Sequence, residues 1–289
     1  MKKDALSNFH PAVALVFFLG AIGFGVVIDH PVYLLSGVIA AASYYLMLKG
    51  TSGFRNMLTM LPVLCLVGVI NPLFNTHGKT VLFTLLGRPY TLEALYYGVA
   101  VAAMLAVTLL WFSCYSQIMT GDKFTALFGR LLPSLSLLLV MVLRLITALT
   151  GKARQIATAR QAIGKGAAPS DSSRQKISGG MRILSALTDW ALEGSLTTAE
   201  SMRARGYGTA KRTSFQIYKM SVRDYICLAL LLLLAVAVLV FGGTDARYIP
   251  RLTLSPLSWG YGAYCIYLLI PIILNIKEAI LWHISKSKI

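Results

Sequence analysis

The sequence predicts an all-α polytopic membrane protein, with about six transmembrane helices and two long amphipathic helices on the cytoplasmic side. Hydrophobic residues make up 56% of its 289 residues and charged residues only 13%, against about 25% charged residues in an ordinary globular domain. The mean hydropathy is +0.68. A soluble protein could not cover its surface with so few polar side chains. The apolar residues also fall into runs of about 20, the length that crosses a bilayer as a helix.

Six apolar segments are long enough to span a membrane: 11–29, 32–48, 56–75, 93–118, 225–241 and 257–276. Short polar breaks separate the first three, whereas the Gly- and Pro-containing stretch 76–92 predicts an exposed connection. These segments divide the chain into three parts. They are an N-terminal membrane part with about four spans (1–118), a cytoplasmic region (119–223) and a C-terminal membrane part with about two spans (224–289).

A further apolar run, residues 131–150, contains Arg144. A charge at the membrane centre costs roughly 2.5–3.5 kcal/mol on insertion scales. If this run crossed the bilayer, the 13 basic residues from Lys152 to Arg223 would lie on the side opposite Lys2 and Lys3. We therefore interpret it as part of a cytoplasmic helix.

The net charge is +16, from 27 Lys and Arg against 11 Asp and Glu. Such a surplus can indicate nucleic acid, anionic lipid, an acidic protein partner or membrane topology. With six spans and a cytoplasmic N-terminus, 23 of the 27 basic residues are cytoplasmic and 4 are outside, as the positive-inside rule expects. Orientation thus explains most of the charge. We expect no nucleic-acid partner and place both termini in the cytoplasm.

The start of the chain, Met1-Lys2-Lys3-Asp4, precedes an apolar run without a small-residue cleavage site. It predicts the cytoplasmic edge of the first helix rather than a removed signal peptide. Cys65, Cys114, Cys227 and Cys265 are dispersed among apolar residues, which indicates inert thiols.

No nucleotide-binding P-loop, nucleophile elbow or HExxH pattern occurs in the sequence. The four His residues are scattered near span ends, and carboxylates lie only at the edges of the spans. The sequence therefore predicts no catalytic residue, metal site or cofactor in this chain.

Within the cytoplasmic region, a Gly-, Pro- and Ser-rich break at 164–180 separates two helical candidates, 133–162 and 179–205. At 100° per residue each candidate has an apolar stripe. The first stripe consists of Leu145, Ile146, Leu149, Ala153, Ile156 and Ala157; the second consists of Leu184, Leu187, Ala191, Thr198 and Met202. Arg182, Asp189, Glu193 and Glu200 follow one line on the other side of the second helix. The two stripes predict that the helices pack on each other or lie against a membrane.

Arg160 and Arg205 lie in line with these apolar stripes, and each is soon followed by glycine. One interpretation is a C-terminal arginine before a glycine cap, favoured by the helix dipole. The other is a helix tip that presents a guanidinium to a partner groove with an apolar wall and a carboxylate.

The segments Trp190-Ala191-Leu192-Glu193 and Ala199-Glu200-Ser201-Met202-Arg203-Ala204-Arg205-Gly206-Tyr207-Gly208 closely resemble the T component of energy-coupling factor (ECF) transporters. Further stretches support the resemblance from about residue 71 to residue 215. They are Asn71-Pro72-Leu73-Phe74, His77-Gly78, Glu93 to Gly98, Phe124 to Pro133, Leu143-Arg144 and Arg212-Thr213-Ser214-Phe215.

The resemblance implies a non-catalytic membrane subunit in the bacterial plasma membrane, with long cytoplasmic coupling helices. In this family, two ABC-type ATPases bind ATP and Mg and dock beneath the T component. A separate membrane protein, the S component, captures a vitamin or metal ion. Arginine motifs at the tips of the coupling helices dock into the ATPases, whose closure is relayed to the S component and topples it. Because the S component binds the substrate, this sequence does not identify it.

Arg205, with Ala204 and Gly206, matches the second family motif, whereas the first motif departs from the pattern. Ala159-Arg160-Gln161 supplies the arginine without the glycine. Ala162-Ile163-Gly164 has isoleucine in the arginine position, and Ala153-Arg154-Gln155 lies mid-helix. The angular position of Arg160 favours the first of these three registers.

Two other functions remain open from the sequence. One is a stand-alone channel or carrier whose basic loop contacts lipid headgroups. The other is a membrane-bound enzyme of lipid chemistry, which would need paired acids or a metal cluster.

Overall fold

The structure, a computed structural model, describes residues 4–75, 80–85, 88–128, 133–166, 172–209, 218–243, 246–247, 253–256 and 258–286. The chain divides into two compact units. Residues 1–124 and 218–289 form the membrane unit, and residues 125–217 form the hairpin unit.

A 3₁₀ turn, Ala5–Asn8, precedes nine helices and four short strands in the described residues. In chain order these are α1 (Pro11–Val27), α2 (Pro31–Lys49), α3 (Thr51–Phe74), β1 (Val81–Leu85), β2 (Arg88–Thr91), α4 (Leu92–Ile118), α5 (Gly121–Phe128), α6 (Pro133–Ala162), α7 (Ser173–Ala204), α8 (Val222–Phe241), β3 (Ala246–Arg247), β4 (Thr253–Leu254) and α9 (Trp259–Lys286).

Five helices are long and apolar enough to cross a membrane: α2, α3, α4, α8 and α9 as far as Trp282. The apolar helix α1 is shorter, at 17 residues. The expectation of a helical, membrane-embedded protein is therefore confirmed. Each of the six predicted segments corresponds to one of these apolar helices, and five of the six helices reach spanning length.

Local chemistry explains where the first helices begin. His10 and His30 cap α1 and α2, since the Nδ1 atom of each accepts the backbone N–H two residues later, and each is followed by a proline. Proline suits the first helical position because it has no N–H to leave unbonded. Only Gly50 separates α2 from α3; its φ of +59° is a left-handed conformation that glycine adopts without strain.

The membrane unit packs around α4, which contacts α1, α2 and α3, while α9 contacts α2 and α8. Trp111 of α4 is fully buried among aromatic rings, with centroids 5.3 Å from Phe17 and 5.8 Å from Tyr44. Edge-on and tilted ring contacts of this kind add to the energy of burial. On the other side of α1, the Tyr267 hydroxyl donates to the carbonyl of Phe17 at 3.0 Å.

The helices α3 and α4 approach each other closely at two glycines. A Cβ atom placed on Gly98 would collide with the backbone carbonyl oxygen of Gly68. Small residues at such a crossing let two membrane helices pack backbone to backbone.

The connections include two short antiparallel hairpins, β1 with β2 and β3 with β4. The first lies in the stretch 76–92, which the sequence predicted as an exposed connection. Of the resemblance segments, His77-Gly78 and Arg212-Thr213-Ser214-Phe215 lie outside the described residues.

In the hairpin unit, α6 has the predicted bounds, whereas α7 begins at Ser173, six residues before the predicted start. Ser172 and Gln175 form a capping box there. The Ser172 hydroxyl accepts the Gln175 N–H, and the Gln175 side-chain oxygen accepts the Ser172 N–H. The helix therefore starts before the two glycines at 179 and 180.

Candidate docking site at two helix ends

The two long helices of the hairpin unit, α6 and α7, pack as an antiparallel pair. The Lys152 ammonium lies 5.8 Å from the ring centroid of Trp190, which is cation–π range. Gly179, eleven residues before Trp190, lies beside the guanidinium of Arg160, eight residues after Lys152. Chain direction is therefore opposite in the two helices.

The faces that meet agree in part with the predicted stripes. On α6 the half-buried positions include Leu149, Ala153, Ile156 and Arg160, whereas Leu145, Ile146 and Ala157 are exposed. On α7 they include Ile183, Leu187, Trp190, Ala191, Thr198 and Met202, whereas Leu184 is exposed. Arg160 does lie in line with its apolar stripe, as the sequence predicted.

The pairing places the two predicted arginines at opposite ends of the hairpin unit. Arg160 lies beside Gly179, and α7 continues for 25 residues from there to Ala204. At 1.5 Å per residue this is about 38 Å along the helix axis. The two arginines therefore cannot form one binding site within this unit.

The second tip, at the end of α7, is a Schellman motif. Gly206 has φ of +74°, its N–H donates to the Arg203 carbonyl at 2.9 Å, and the Tyr207 N–H donates to the Met202 carbonyl at 3.0 Å. These two bonds satisfy carbonyls that the helix end would leave open. Arg205 is the capping residue, so its position at the tip is fixed by the backbone.

The first tip, at the end of α6, is built in the same way. Gly164 has φ of +71°, its N–H donates to the Gln161 carbonyl at 3.1 Å, and the Lys165 N–H donates to the Arg160 carbonyl at 2.9 Å. When the two motifs are aligned on their cap glycines, Ala162-Ile163-Gly164 corresponds to Ala204-Arg205-Gly206. Ile163 thus holds the position of Arg205, and Arg160 holds that of Met202.

The side chains at the two tips differ accordingly. Ile163 is 68% exposed. The Arg160 guanidinium instead turns back and donates to the carbonyl of Lys165 at 3.2 Å, while Ala159 beside it is exposed. At this end, arginine contributes to the cap of its own helix, as the first of the two sequence interpretations expected.

At the second tip, Ala204, Arg205 and Gly206 are all exposed. Within the described part of the chain the Arg205 side chain makes no hydrogen bond or ion pair, and the residue is exposed, so its five N–H donors are open to solvent. Tyr207 follows at 53% exposure. An exposed arginine followed two residues later by an exposed tyrosine suits a groove that offers a carboxylate and an apolar wall.

The exposure of Tyr207 and of Ile163 at the two tips was not predicted from the sequence. Each stands at a fixed place relative to a cap glycine, and that spacing is the signal that could have found them. The acidic line Asp189, Glu193 and Glu200 is exposed along α7. Among the described residues no cluster of three or more His, Cys, Asp or Glu could hold a metal ion.

A scan against protein-family models gives no match to this chain, and a search of curated proteins gives none either. The function must therefore be inferred from the motif residues and from the geometry of the two tips.

Proposed function

We propose that this chain is the transmembrane, non-catalytic energy-coupling subunit of an ECF-type ABC importer. In this proposal, two ABC-type ATPases bind ATP and Mg and dock beneath it on the cytoplasmic side. A membrane S component binds the vitamin or metal ion. The subunit lies in the bacterial plasma membrane, with both termini in the cytoplasm, and relays ATPase closure to the S component.

The observation that carries this proposal is the presentation of Arg205. Its backbone is held by a Schellman motif at the end of a 32-residue helix, and its guanidinium is exposed. An arginine on a flexible loop would lose more conformational entropy on docking than one whose backbone is already ordered by a helix cap. The geometry therefore favours a role in recognition of a carboxylate partner.

The hairpin unit also has a structure that can transmit a displacement from one end to the other. The helix α7 is about 48 Å long at 1.5 Å per residue, and it packs on α6 along the half-buried stripe. Packed helices shift as units because close-packed interfaces resist continuous deformation. A displacement at the Arg205 tip would therefore be felt along the helix pair.

The distribution of buried polar groups favours coupling over a stand-alone carrier. Among the described residues, the buried side chains classed as polar or charged are His30, Thr91, Lys123 and Asp224, and all four lie at helix ends. Ion-coupled carriers place ionisable residues inside the membrane core. In the described middle parts of these helices, no Asp, Glu, Lys, Arg or His is buried.

The test is complex formation between this chain and two ABC-type ATPases of the same organism. Arg205→Glu should weaken ATPase binding about 30-fold or more, because it replaces one member of a charge pair by a like charge. Arg205→Lys should recover only part of the affinity, since lysine lacks the bidentate fork. Arg203→Glu, at an exposed position two residues earlier, is the matched control and should bind nearly as the parent chain does.

Equal binding by the parent chain and Arg205→Glu would remove Arg205 from the docking site. Failure of the parent chain to form any complex with either ATPase would overturn the coupling function itself.

A further inference from the structure

The segment before α1, Asp4 to His10, is inserted into one end of the membrane unit. Ala5 is 1% exposed and Leu6 is fully buried. Leu6 belongs to the same apolar core as Trp111 and Phe17. The contacts of this segment with the rest of the membrane unit involve several separate parts of the chain.

Two helices hold the beginning of the segment. The Ala5 N–H donates to the Asn275 side-chain carbonyl of α9 at 2.7 Å, and the Asn275 amide donates to one Asp4 carboxylate oxygen. The other Asp4 oxygen accepts the Tyr44 hydroxyl of α2 at 2.9 Å. Both carboxylate oxygens of Asp4 are thus bonded to neighbouring helices.

The middle of the segment bonds to Lys123, which is next to the last residue of the membrane unit before the hairpin unit. The Lys123 ammonium donates to the Ser7 carbonyl at 3.0 Å and to the Ser7 hydroxyl at 2.7 Å. Lys123 is only 6% exposed. A buried ammonium is costly without hydrogen-bond acceptors, so these two bonds tie Lys123 to the N-terminal segment.

The end of the segment holds the place where the chain returns. The His10 N–H donates to one Asp224 carboxylate oxygen at 3.2 Å. The other oxygen accepts the Ser221 N–H and the Ser221 hydroxyl, both at 2.8 Å, in the capping box of α8. Asp224 is 5% exposed, so this cap is closed off by the N-terminal segment.

Lys123 and Ser221 lie just outside the two chain boundaries of the hairpin unit, which covers residues 125–217. We propose that residues 4–10 act as a clamp that holds together two places in the membrane unit, Lys123 just before residues 125–217 and the start of α8 just after them. These two places are called the connections below. Lys123 and Asp224 are then positioning residues within the membrane unit. The clamp stands without the proposed coupling function, whereas its use in relaying motion rests on that function.

Hydrogen–deuterium exchange of the full-length chain in detergent tests the clamp without any ATPase. Asp4→Ala removes the two carboxylate bonds, from the Tyr44 hydroxyl and the Asn275 amide, and leaves the Ala5 bond to Asn275 and the bonds of Lys123 and Asp224 in place. If the segment clamps both connections, backbone amides of residues 119–124 and of residues 221–226 should both exchange about tenfold faster. Ser43→Ala, which loses only a bond to its own helix, is the matched control and should change neither.

Tyr44→Phe is the second variant, because it removes one Asp4 partner and keeps the packing of the ring. The amides of residues 28–33, at the opposite end of the helices, report general unfolding. Faster exchange confined to residues 4–10 would overturn the proposal, as would equal acceleration at residues 28–33 in both variants. Faster amide exchange at both connections in both variants, with the exchange of residues 28–33 unchanged, would support the proposal.

Discussion

Ile163 and Arg205 occupy the same position in two copies of one helix-ending motif. Each follows an alanine and precedes a glycine in the left-handed conformation, Gly164 at φ of +71° and Gly206 at +74°. The two ends of the hairpin unit thus share a backbone but differ in chemistry. One presents an exposed apolar side chain, and the other presents a guanidinium.

The first prediction concerns which residue of the α6 tip docks. We expect Ile163→Glu to weaken binding of one ATPase roughly tenfold to a hundredfold, since burial of an isoleucine contributes about 1.5–3 kcal/mol. Arg160→Glu should cost less, because the Arg160 guanidinium is engaged by the Lys165 carbonyl. Affinities of the two ATPases for the immobilised chain would measure this. A severe loss in Arg160→Glu with none in Ile163→Glu would instead place the dock at Arg160.

The second prediction concerns the cap that positions Arg205. Gly206→Ala puts a Cβ into a left-handed conformation, which costs about 1–2 kcal/mol. We expect faster amide exchange at residues 205–207 and weaker ATPase binding, although Arg205 itself is retained. Gly194→Ala is the control: it lies within α7 with no neighbouring atom in reach of the new methyl, and alanine favours the helix. Unchanged exchange in Gly206→Ala would mean that the cap does not hold the tip.

Sequence patterns predicted the apolar helices well because each is a local property of about 20 residues. The start of α7 was predicted six residues too late, because the glycines at 179 and 180 suggested a longer break. The capping-box spacing of Ser172 and Gln175 marks the true start. The polar contacts of the N-terminal segment were not readable. Ser7 and Lys123 are 116 residues apart, and nothing in either local sequence marks the other as its partner. Likewise, the equivalence of Ile163 and Arg205 follows from φ angles that sequence only suggests.

The third prediction concerns orientation in the membrane. The excess of basic residues places Ser172 in the cytoplasm and Thr80 outside. In a variant without native cysteines, Thr80→Cys should react with a membrane-impermeant maleimide in intact cells, and Ser172→Cys should react only after permeabilisation. Both positions are exposed in their own units, which makes them a matched pair. Labelling of Ser172→Cys alone in intact cells would invert the proposed topology.

The fourth prediction concerns the pH dependence of stability. Burial lowers the pKa of Lys123 below the ordinary lysine value, and the Asp4 charge opposes that shift only in part. Between the lowered pKa and about 10.5 the unfolded chain binds more protons than the folded chain, so the free energy of unfolding rises with pH. The thermal unfolding midpoint in detergent should therefore rise less steeply with pH in Lys123→Met than in the parent chain. Lys176→Met, at an exposed site, is the control, and equal slopes in all three proteins would contradict the prediction.

The fifth prediction concerns the crossing of α3 and α4. Gly98→Ala adds a methyl group that must displace the backbone at Gly68 rather than a flexible side chain. Overpacking of this kind costs about 1–3 kcal/mol, so the unfolding midpoint in detergent should fall. Gly23→Ala, in α1, meets no atom within contact distance and should leave the midpoint unchanged or raise it. If Gly98→Ala were as stable as Gly23→Ala, the two helices could move apart freely, and α4 would not be the rigid centre of the membrane unit.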